Sequence, residues 1–260
     1  MPAADLDFPL AEFKSRTKQI RQIMAVVEAA SQNSDALTTT RTGIDLSQIN
    51  GSTSNTVNSM ALIYLASAFE DHIREQAIQC GNQLMDAYAA MPDLNRHSIR
   101  DSYWSLSRER LKFTKSVLVN KSPDPTLLGT VGGALDALQG FVIGDDASKL
   151  DSETFGHHSN NFRPGTVVEI FGRFGVKDLI NRLGENAKLK NYFGVTSKAQ
   201  CSERLKAKWD EFYDRRNETV HSLGGASGFA VDAIDSYIEF LEMTADALKG
   251  ILTKTLISWT

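Results

Sequence analysis

Apolar residues recur at three- and four-residue intervals through most of the chain, and this spacing predicts helices. Between residues 8 and 30 the apolar positions Phe8, Phe13, Ile20 and Val27 are separated by lysines and arginines, which predicts an amphipathic first helix. From residue 31 to about 55 the chain is rich in Ser, Thr, Asn and Gln, so little apolar surface is available to fix it. We expect a mobile loop there, with at most a short turn.

A long central helix is predicted from Ser54 or Thr56 to about Ala90, because Pro92 stops it. The segment 126–143 has helical spacing, but its four glycines each weaken a helix by about 1 kcal/mol relative to alanine. No alternation of apolar and polar residues is long enough for a sheet, so the sequence predicts an all-α protein. Further helices are predicted over 95–119, over 165–183 with Gly184 as the stop, from Lys198 or Ser202 to His221, and over 227–257.

The composition predicts a cytoplasmic globular protein. Of the 260 residues, 42% are hydrophobic and 23% charged, which suits a chain that buries a sizeable core. Cys80 and Cys201 form no Cys-x-x-Cys pair, so no disulfide framework is indicated and a reducing compartment fits. The N-terminus lacks a basic segment followed by an apolar one, and no run approaches the roughly 18 consecutive apolar residues of a membrane span. We therefore expect no membrane contact.

The charge is unevenly distributed. A formal net charge of −4 argues against a general nucleic-acid coat protein, because phosphate binding depends on lysine and arginine. Residues 163–216 nevertheless carry twelve basic and seven acidic residues, and this basic segment runs into Arg215 and Arg216. A polyanion could approach that part of the fold, although an ordinary solvated helix face gives the same pattern.

Arg216 lies in the apolar stripe of the helix that ends at His221. With Leu205 at zero and 100° per residue, Arg216 falls at about 20°, beside Trp209 and Phe212. A guanidinium there requires a carboxylate, a backbone carbonyl or a bound anion, unless it reaches past the aromatic rings to solvent.

Asn217 and His221 are four residues apart, so they share one face of the last turn. An imidazole whose pKa is near ambient pH suits proton transfer. His221 could instead be an ordinary C-terminal histidine favoured by the helix dipole.

The segment Arg216-Asn217-Glu218-Thr219-Val220-His221 resembles the Arg-x4-6-His motif of the HEPN superfamily, including the asparagine that commonly follows the arginine. The longer spacing from Arg215 also fits, so either arginine could be the functional one. The stretch from Tyr64 to Ile73, with its Phe69-Glu70 pair, is similar to the long early helix of the RiboL-PSP branch. The resemblance covers roughly residues 55 to 257, and these two stretches carry it.

The resemblance implies a HEPN-like bundle of long antiparallel helices with extra helical and loop insertions. It places this domain at residues 56–260, after an N-terminal helix and polar loop at 1–55. It also implies a metal-independent endoribonuclease that needs no cofactor, cuts an RNA substrate and acts as a homodimer. The expected setting is a toxin or effector of a bacterial defence or toxin–antitoxin system, where a protein partner could inhibit or activate it.

In this reading His221 acts as base or acid when the ribose 2'-hydroxyl attacks the adjacent phosphate. Arg216 stabilises the negative charge of the phosphorane, and the product is a 2',3'-cyclic phosphate. Asn217 orients the phosphate or His221. Glu70 is expected to hold Arg216; the alternative is a solvated or structural carboxylate.

The alternative function is a non-catalytic HEPN module that binds a nucleotide, RNA or a partner protein without cutting.

The four other histidines have no metal-ligand spacing around them, so no metal site is expected; they are His72, His97, His157 and His158.

Overall fold

The computed structural model describes residues 4–34, 37, 39, 43–112, 119, 125–158, 161–221 and 230–259. Within these ranges all regular secondary structure is helical, which confirms the predicted all-α fold. The long helices are Asp7–Gln32 (α1), Gly51–Ala87 (α2), Asp93–Leu111 (α3), Pro125–Ala137 (α4), Lys198–His221 (α9) and Val231–Ile257 (α10). The short helices are Glu153–Gly156 (α5), Pro164–Gly172 (α6), Leu179–Leu183 (α7) and Ala187–Phe193 (α8).

The chain divides into two compact units. The first unit comprises Met1–Pro9, Ile73–Arg182 and Leu248–Thr260, and the second comprises Leu10–His72 and Leu183–Ala247. Helices α2 and α10 contribute residues to both. The boundary expected near residue 55, like the HEPN-like arrangement of the helices, stays a prediction.

The long helices lie where the apolar spacing predicts them, with small shifts at their ends. α2 begins at Gly51, a few residues before the predicted start, because the Asn50 side chain accepts a hydrogen bond from Ser52 N at 2.9 Å and caps the helix. Asp45 caps the 3-10 turn Leu46–Gln48 in the same way, which confirms the short turn in the polar segment. In the polar segment, residues 35, 36, 38 and 40–42 lie outside the described residues, as do residues 113–118 and 227–229 at the ends of two predicted helices.

The single helix predicted over 165–183 is wrong. α6 ends at Gly172, and the chain then turns through Gly175 and Asp178, both of which have positive φ, before α7 begins. α8 was also missed; the Asn186 side chain caps it through Lys188 N at 2.9 Å. α7 ends at Leu183, so Gly184 follows the end of a helix as predicted. A Cβ at Gly184 would lie 2.9 Å from the Lys198 carbonyl oxygen, so the position suits a glycine.

Aromatic side chains hold the second unit together and position α9. The ring of Phe69 on α2 lies 5.7 Å from Phe13 on α1 and 5.4 Å from Trp209 on α9, and all three are fully buried. Phe212 and Tyr213 are buried as well, which confirms the predicted apolar stripe of α9. Such rings bury large apolar areas, so this contact fixes α9 against α2.

Ion pairs connect α1 with α10 in the second unit. Lys14 Nζ lies 2.8 Å from Asp246 Oδ1, and Arg21 lies 3.3 Å from Glu242. The Thr17 hydroxyl, which is buried, donates to Glu242 at 2.5 Å. These pairs set the register of the two helices, although the partly exposed ones each contribute little to stability.

A chain of aromatic contacts forms the core of the first unit. Tyr103 on α3 lies between Phe141 at 5.0 Å and Phe155 at 5.5 Å. Phe141 also contacts Tyr88 at 5.2 Å, and Phe155 contacts Phe174 at 4.7 Å. Phe141 belongs to the π-helical segment Leu138–Ile143 that continues α4. The extra residue in each π turn is the feature that helical spacing alone did not predict.

α4 and the π-helical segment, Pro125–Ile143, are long and apolar enough to cross a membrane by length and composition, and only 22% of that window is buried. One such helix is weak evidence for a membrane span, because helices of soluble proteins meet the same criterion. Its Ala134, Ala137 and Phe141 are buried inside the first unit, whereas Leu128 and Leu135 are exposed. The expectation of no membrane contact stays a prediction.

Candidate functional site

Arg216 lies near the C-terminal end of α9 and is half-buried. Its Nη1 donates to Asn217 Oδ1 at 3.2 Å. Its Nε is buried and has no hydrogen-bond partner among the described residues. The apolar position predicted for Arg216 therefore leaves the guanidinium with one bond to a neighbour and at least one unused donor.

Arg215 is in a different environment, although it is adjacent in sequence. It is exposed, and its Nη1 lies 3.4 Å from Glu218 Oε2, one helical turn further along α9. Its backbone carbonyl accepts the Thr219 hydroxyl at 2.8 Å. Because Arg215 already has a carboxylate partner, the unused buried donor makes Arg216 the better candidate for holding an anion.

His221 is the last residue of α9, and its side chain is exposed. Asn217, which is half-buried, precedes it by four residues and so lies on the same side of the helix. The residues that follow, 222–229, lie outside the described residues. The structure thus brings Arg216 and Asn217 together through a hydrogen bond and places His221 about one turn beyond them.

Glu70 is half-buried on α2, next to Phe69. Phe69 packs against Trp209, which lies about two turns before Arg216 on α9. The hydrogen bond that the structure gives the Arg216 guanidinium goes to Asn217. The role expected for Glu70, holding Arg216, stays a prediction.

Helical spacing alone does not predict how α10 contacts α9. The Tyr237 hydroxyl donates to Glu211 Oε1 at 2.9 Å, and burial together with this bond raises the pKa of Tyr237, so the phenol stays protonated. Lys208 Nζ donates to Ser236 Oγ at 2.9 Å and lies 5.2 Å from the Tyr237 ring centroid. Lys208 therefore makes both a hydrogen bond and a cation–π contact with α10.

A cleft of about 680 Å³ lies in the first unit, between α3 and α6. Arg173 is largely buried there, with Nη1 donating to the Phe155 carbonyl at 3.0 Å and Nη2 to Glu169 at 3.1 Å. Burial is the main cause that lowers the pKa of Arg173. His158 Nε2 lies 3.6 Å from Glu169. The sequence does not predict a site at His157 and His158, because only the fold brings α3 next to them.

The other lining residues of the cleft are polar or charged for the most part; they include Asp101, Ser102, Ser105, Arg108, Glu109 and His157. Among the described residues no group of three or more His, Cys, Asp or Glu side chains could hold a metal ion.

The fold is that of an all-α protein of two compact units, and Arg216, Asn217 and His221 lie in the last two turns of α9. Comparison with family models, with curated proteins and with solved structures found no match to this chain. The features that point to a function are therefore the chemistry of Arg216, Asn217 and His221 and the resemblance of their spacing.

Proposed function

We propose that the protein is a metal-independent endoribonuclease of the HEPN type, with Arg216, Asn217 and His221 as its catalytic residues. One observation about the Arg216 guanidinium supports this most directly. Its Nη1 donates to Asn217, whereas its buried Nε lacks an acceptor. A buried, unsatisfied donor destabilises a fold, so it is more readily explained by a ligand than by stability.

In the proposed reaction a phosphodiester oxygen accepts hydrogen bonds from Arg216. The negative charge grows as the 2'-oxygen bonds to phosphorus, and a guanidinium fork stabilises that charge through paired hydrogen bonds. Asn217 keeps the fork in place, so little reorganisation is needed at the moment of reaction.

His221 removes the 2'-hydroxyl proton as the oxygen attacks, and the bond from phosphorus to the 5'-oxygen breaks. The leaving 5'-oxygen takes up a proton, and the products are a 2',3'-cyclic phosphate and a 5'-hydroxyl. The reaction needs one group that acts as the base and another that acts as the acid, whereas each chain has a single His221. A homodimer that places two motifs at one phosphate would supply both imidazoles, which is why we include dimerisation in the proposal.

The basic segment 163–216 supports an RNA substrate, because it offers lysines and arginines near the motif in sequence while the rest of the chain is acidic. The same proposal includes the biological setting. The protein would act in the cytoplasm as a toxin or effector in bacterial defence or a toxin–antitoxin system, and a protein partner would control it.

The test incubates the full chain with a mixed RNA pool in EDTA and identifies the product ends. Wild type is expected to leave cyclic phosphates, and His221→Ala and Arg216→Ala are expected to lose at least about 100-fold in rate. Arg215→Ala is the matched control, because Arg215 is exposed and paired with Glu218. Cleavage that is equal in all four proteins would come from a contaminant and would overturn the assignment.

The alternative function, a non-catalytic module that binds a nucleotide, RNA or a protein, has one observation in its favour. The cleft of about 680 Å³ contains the largely buried Arg173 and His158 beside Glu169, and none of the motif residues lines it. Binding of RNA or nucleotide without cleavage, abolished by Arg173→Gln and unaffected by His221→Ala, would favour this function.

A further inference from the structure

Two arginines of the first unit surround one carboxylate. Arg100 Nη1 lies 3.3 Å from Asp145 Oδ1, and Arg96 Nη1 lies 3.5 Å from Asp145 Oδ2. The Tyr88 hydroxyl donates to Asp145 Oδ1 at 2.6 Å. Arg96 and Arg100 are one turn apart on α3, so both point to the same side of the helix. We call Tyr88, Arg96 and Arg100 the arginine cradle.

The cradle has more donors than Asp145 uses. The Nε atoms of both Arg96 and Arg100 are buried and have no hydrogen-bond partner among the described residues. Both ion pairs with Asp145 are longer than the 2.7 to 2.9 Å typical of a charge-assisted bond, so the carboxylate does not saturate the forks.

Space for a further acceptor adjoins these donors. A cavity of about 520 Å³ is lined by Asp93, Leu94, Arg96, His97, Arg100 and Asp145. It lies wholly within the first unit, at the N-terminal end of α3. An oxyanion in this cavity could reach the arginines without any rearrangement of the buried core.

Asp145 occupies the cradle from an exposed turn with an uncommon backbone. It has φ 57°, in the left-handed region, between the π-helical segment and the 3-10 turn Ala147–Lys149. Aspartate adopts this region less readily than glycine, so the bonds to the cradle help to hold the turn. Its side chain is 38% exposed, which leaves the carboxylate accessible from the cavity side.

The charges define the ligand. Arg96 also pairs with Asp93, so the two arginines and the two aspartates together are neutral. When Asp145 turns away, the two arginines and Asp93 have one net positive charge. A planar guanidinium matches two oxygens of a phosphate or carboxylate, and both Arg96 and Arg100 line the cavity.

We propose that the arginine cradle is a binding site for an oxyanion, either the phosphate or the carboxylate group of a ligand, and that Asp145 is its resident competitor. The proposal is independent of the ribonuclease function, because no residue of the cradle belongs to the α9 motif. If the cradle binds no oxyanion, the proposed ribonuclease function is unaffected.

The test measures binding to the full chain by isothermal titration calorimetry at constant ionic strength. Inorganic phosphate and acetate are the two probes, with chloride as the background anion. Asp145→Asn removes the competing charge, keeps an acceptor for Tyr88 and suits a positive φ. It is expected to bind the preferred probe at least about tenfold more tightly than wild type, a gain of about 1.4 kcal/mol. Preference for phosphate identifies a phosphoryl ligand, and preference for acetate identifies a carboxylate ligand.

Arg100→Gln is expected to lose binding, whereas Lys254→Gln, which changes an exposed lysine of the first unit outside the cradle, is expected to bind as wild type does. If Arg100→Gln fails to fold, Arg100→Lys replaces it; that variant keeps the charge but lacks the fork and is expected to bind at least about tenfold more weakly. Equal affinity in wild type and Asp145→Asn, or no binding by either, would overturn the proposal and leave Asp145 a structural link between α3 and its turn.

Discussion

Arg216 Nη1 donates to Asn217 Oδ1 at 3.2 Å, between two residues that are adjacent in α9. Five helical residues correspond to about 140° around the axis, so Arg216 and His221 would otherwise point to different sides of the helix. The bond draws the guanidinium toward the side of Asn217, which His221 shares through its four-residue spacing. Asn217 is therefore the residue that would let the two outer members of the motif act on one phosphate.

Replacing Asn217 by alanine should lower RNA cleavage while leaving the fold intact. The arginine would lose its fixed direction, and we expect a rate loss of about 10- to 100-fold under single-turnover conditions, which is the cost of a misplaced catalytic group. Glu218→Gln is the matched control, because Glu218 is an exposed neighbour that pairs with Arg215 instead. An unchanged rate in Asn217→Ala would contradict the positioning role.

Replacing Arg216 by leucine should abolish cleavage without destabilising the protein. The change removes a buried donor that lacks an acceptor, and such a group costs about 1 to 3 kcal/mol, whereas the lost bond to Asn217 contributes about 1 kcal/mol. We therefore expect the free energy of unfolding in urea to stay equal or to rise slightly. A clear decrease in that free energy would mean that Arg216 serves the fold.

Replacing Phe69 by alanine should destabilise the second unit strongly. Phe69 is fully buried between Phe13 and Trp209, so truncation leaves a cavity, and we expect a loss of about 3 to 5 kcal/mol in urea unfolding. Met60→Ala on the same helix changes a side chain that is 64% exposed and should alter stability by less than about 0.5 kcal/mol. Similar losses in the two variants would show that Phe69 is not part of a packed core.

Stability should fall at high pH in part because of Cys80. Burial raises the pKa of its thiol in the folded protein, whereas the unfolded thiol ionises near its ordinary value of about 8.5. Its contribution is therefore complete below that value and is lost as the pH rises above it. We expect the urea midpoint of wild type to decrease between pH 7.5 and 10 by more than that of Cys80→Ala. Parallel decreases in the two proteins would exclude this thiol as the cause.

Helical periodicity was enough to predict α1, α2 and α9, because each has a continuous apolar face that must be buried. It failed where backbone conformation, rather than side-chain pattern, decides the structure. Gly175 and Asp178 interrupt the helix predicted over 165–183 with positive φ angles, and no apolar residue signals that change.

The site was predictable only in part for a related reason. The spacing of Arg216, Asn217 and His221 is visible in the sequence, and so is the apolar setting of the arginine. The bond from Arg216 to Asn217 depends on a rotamer, and the cradle around Asp145 depends on contacts between segments about 50 residues apart. A one-dimensional pattern carries neither kind of information.

The full burial of Trp209 beside Phe69 gives the second unit its own optical reporter. Trp259 lies 6.3 Å from Phe174 in the first unit, and Trp104 of that unit is exposed. A chain in which phenylalanine replaces Trp104 and Trp259 would emit from the second unit alone, with the blue-shifted spectrum of an indole shielded from water. Its fluorescence, followed against the far-ultraviolet circular dichroism of all the helices, would reveal whether the protein melts as one cooperative body or in two stages.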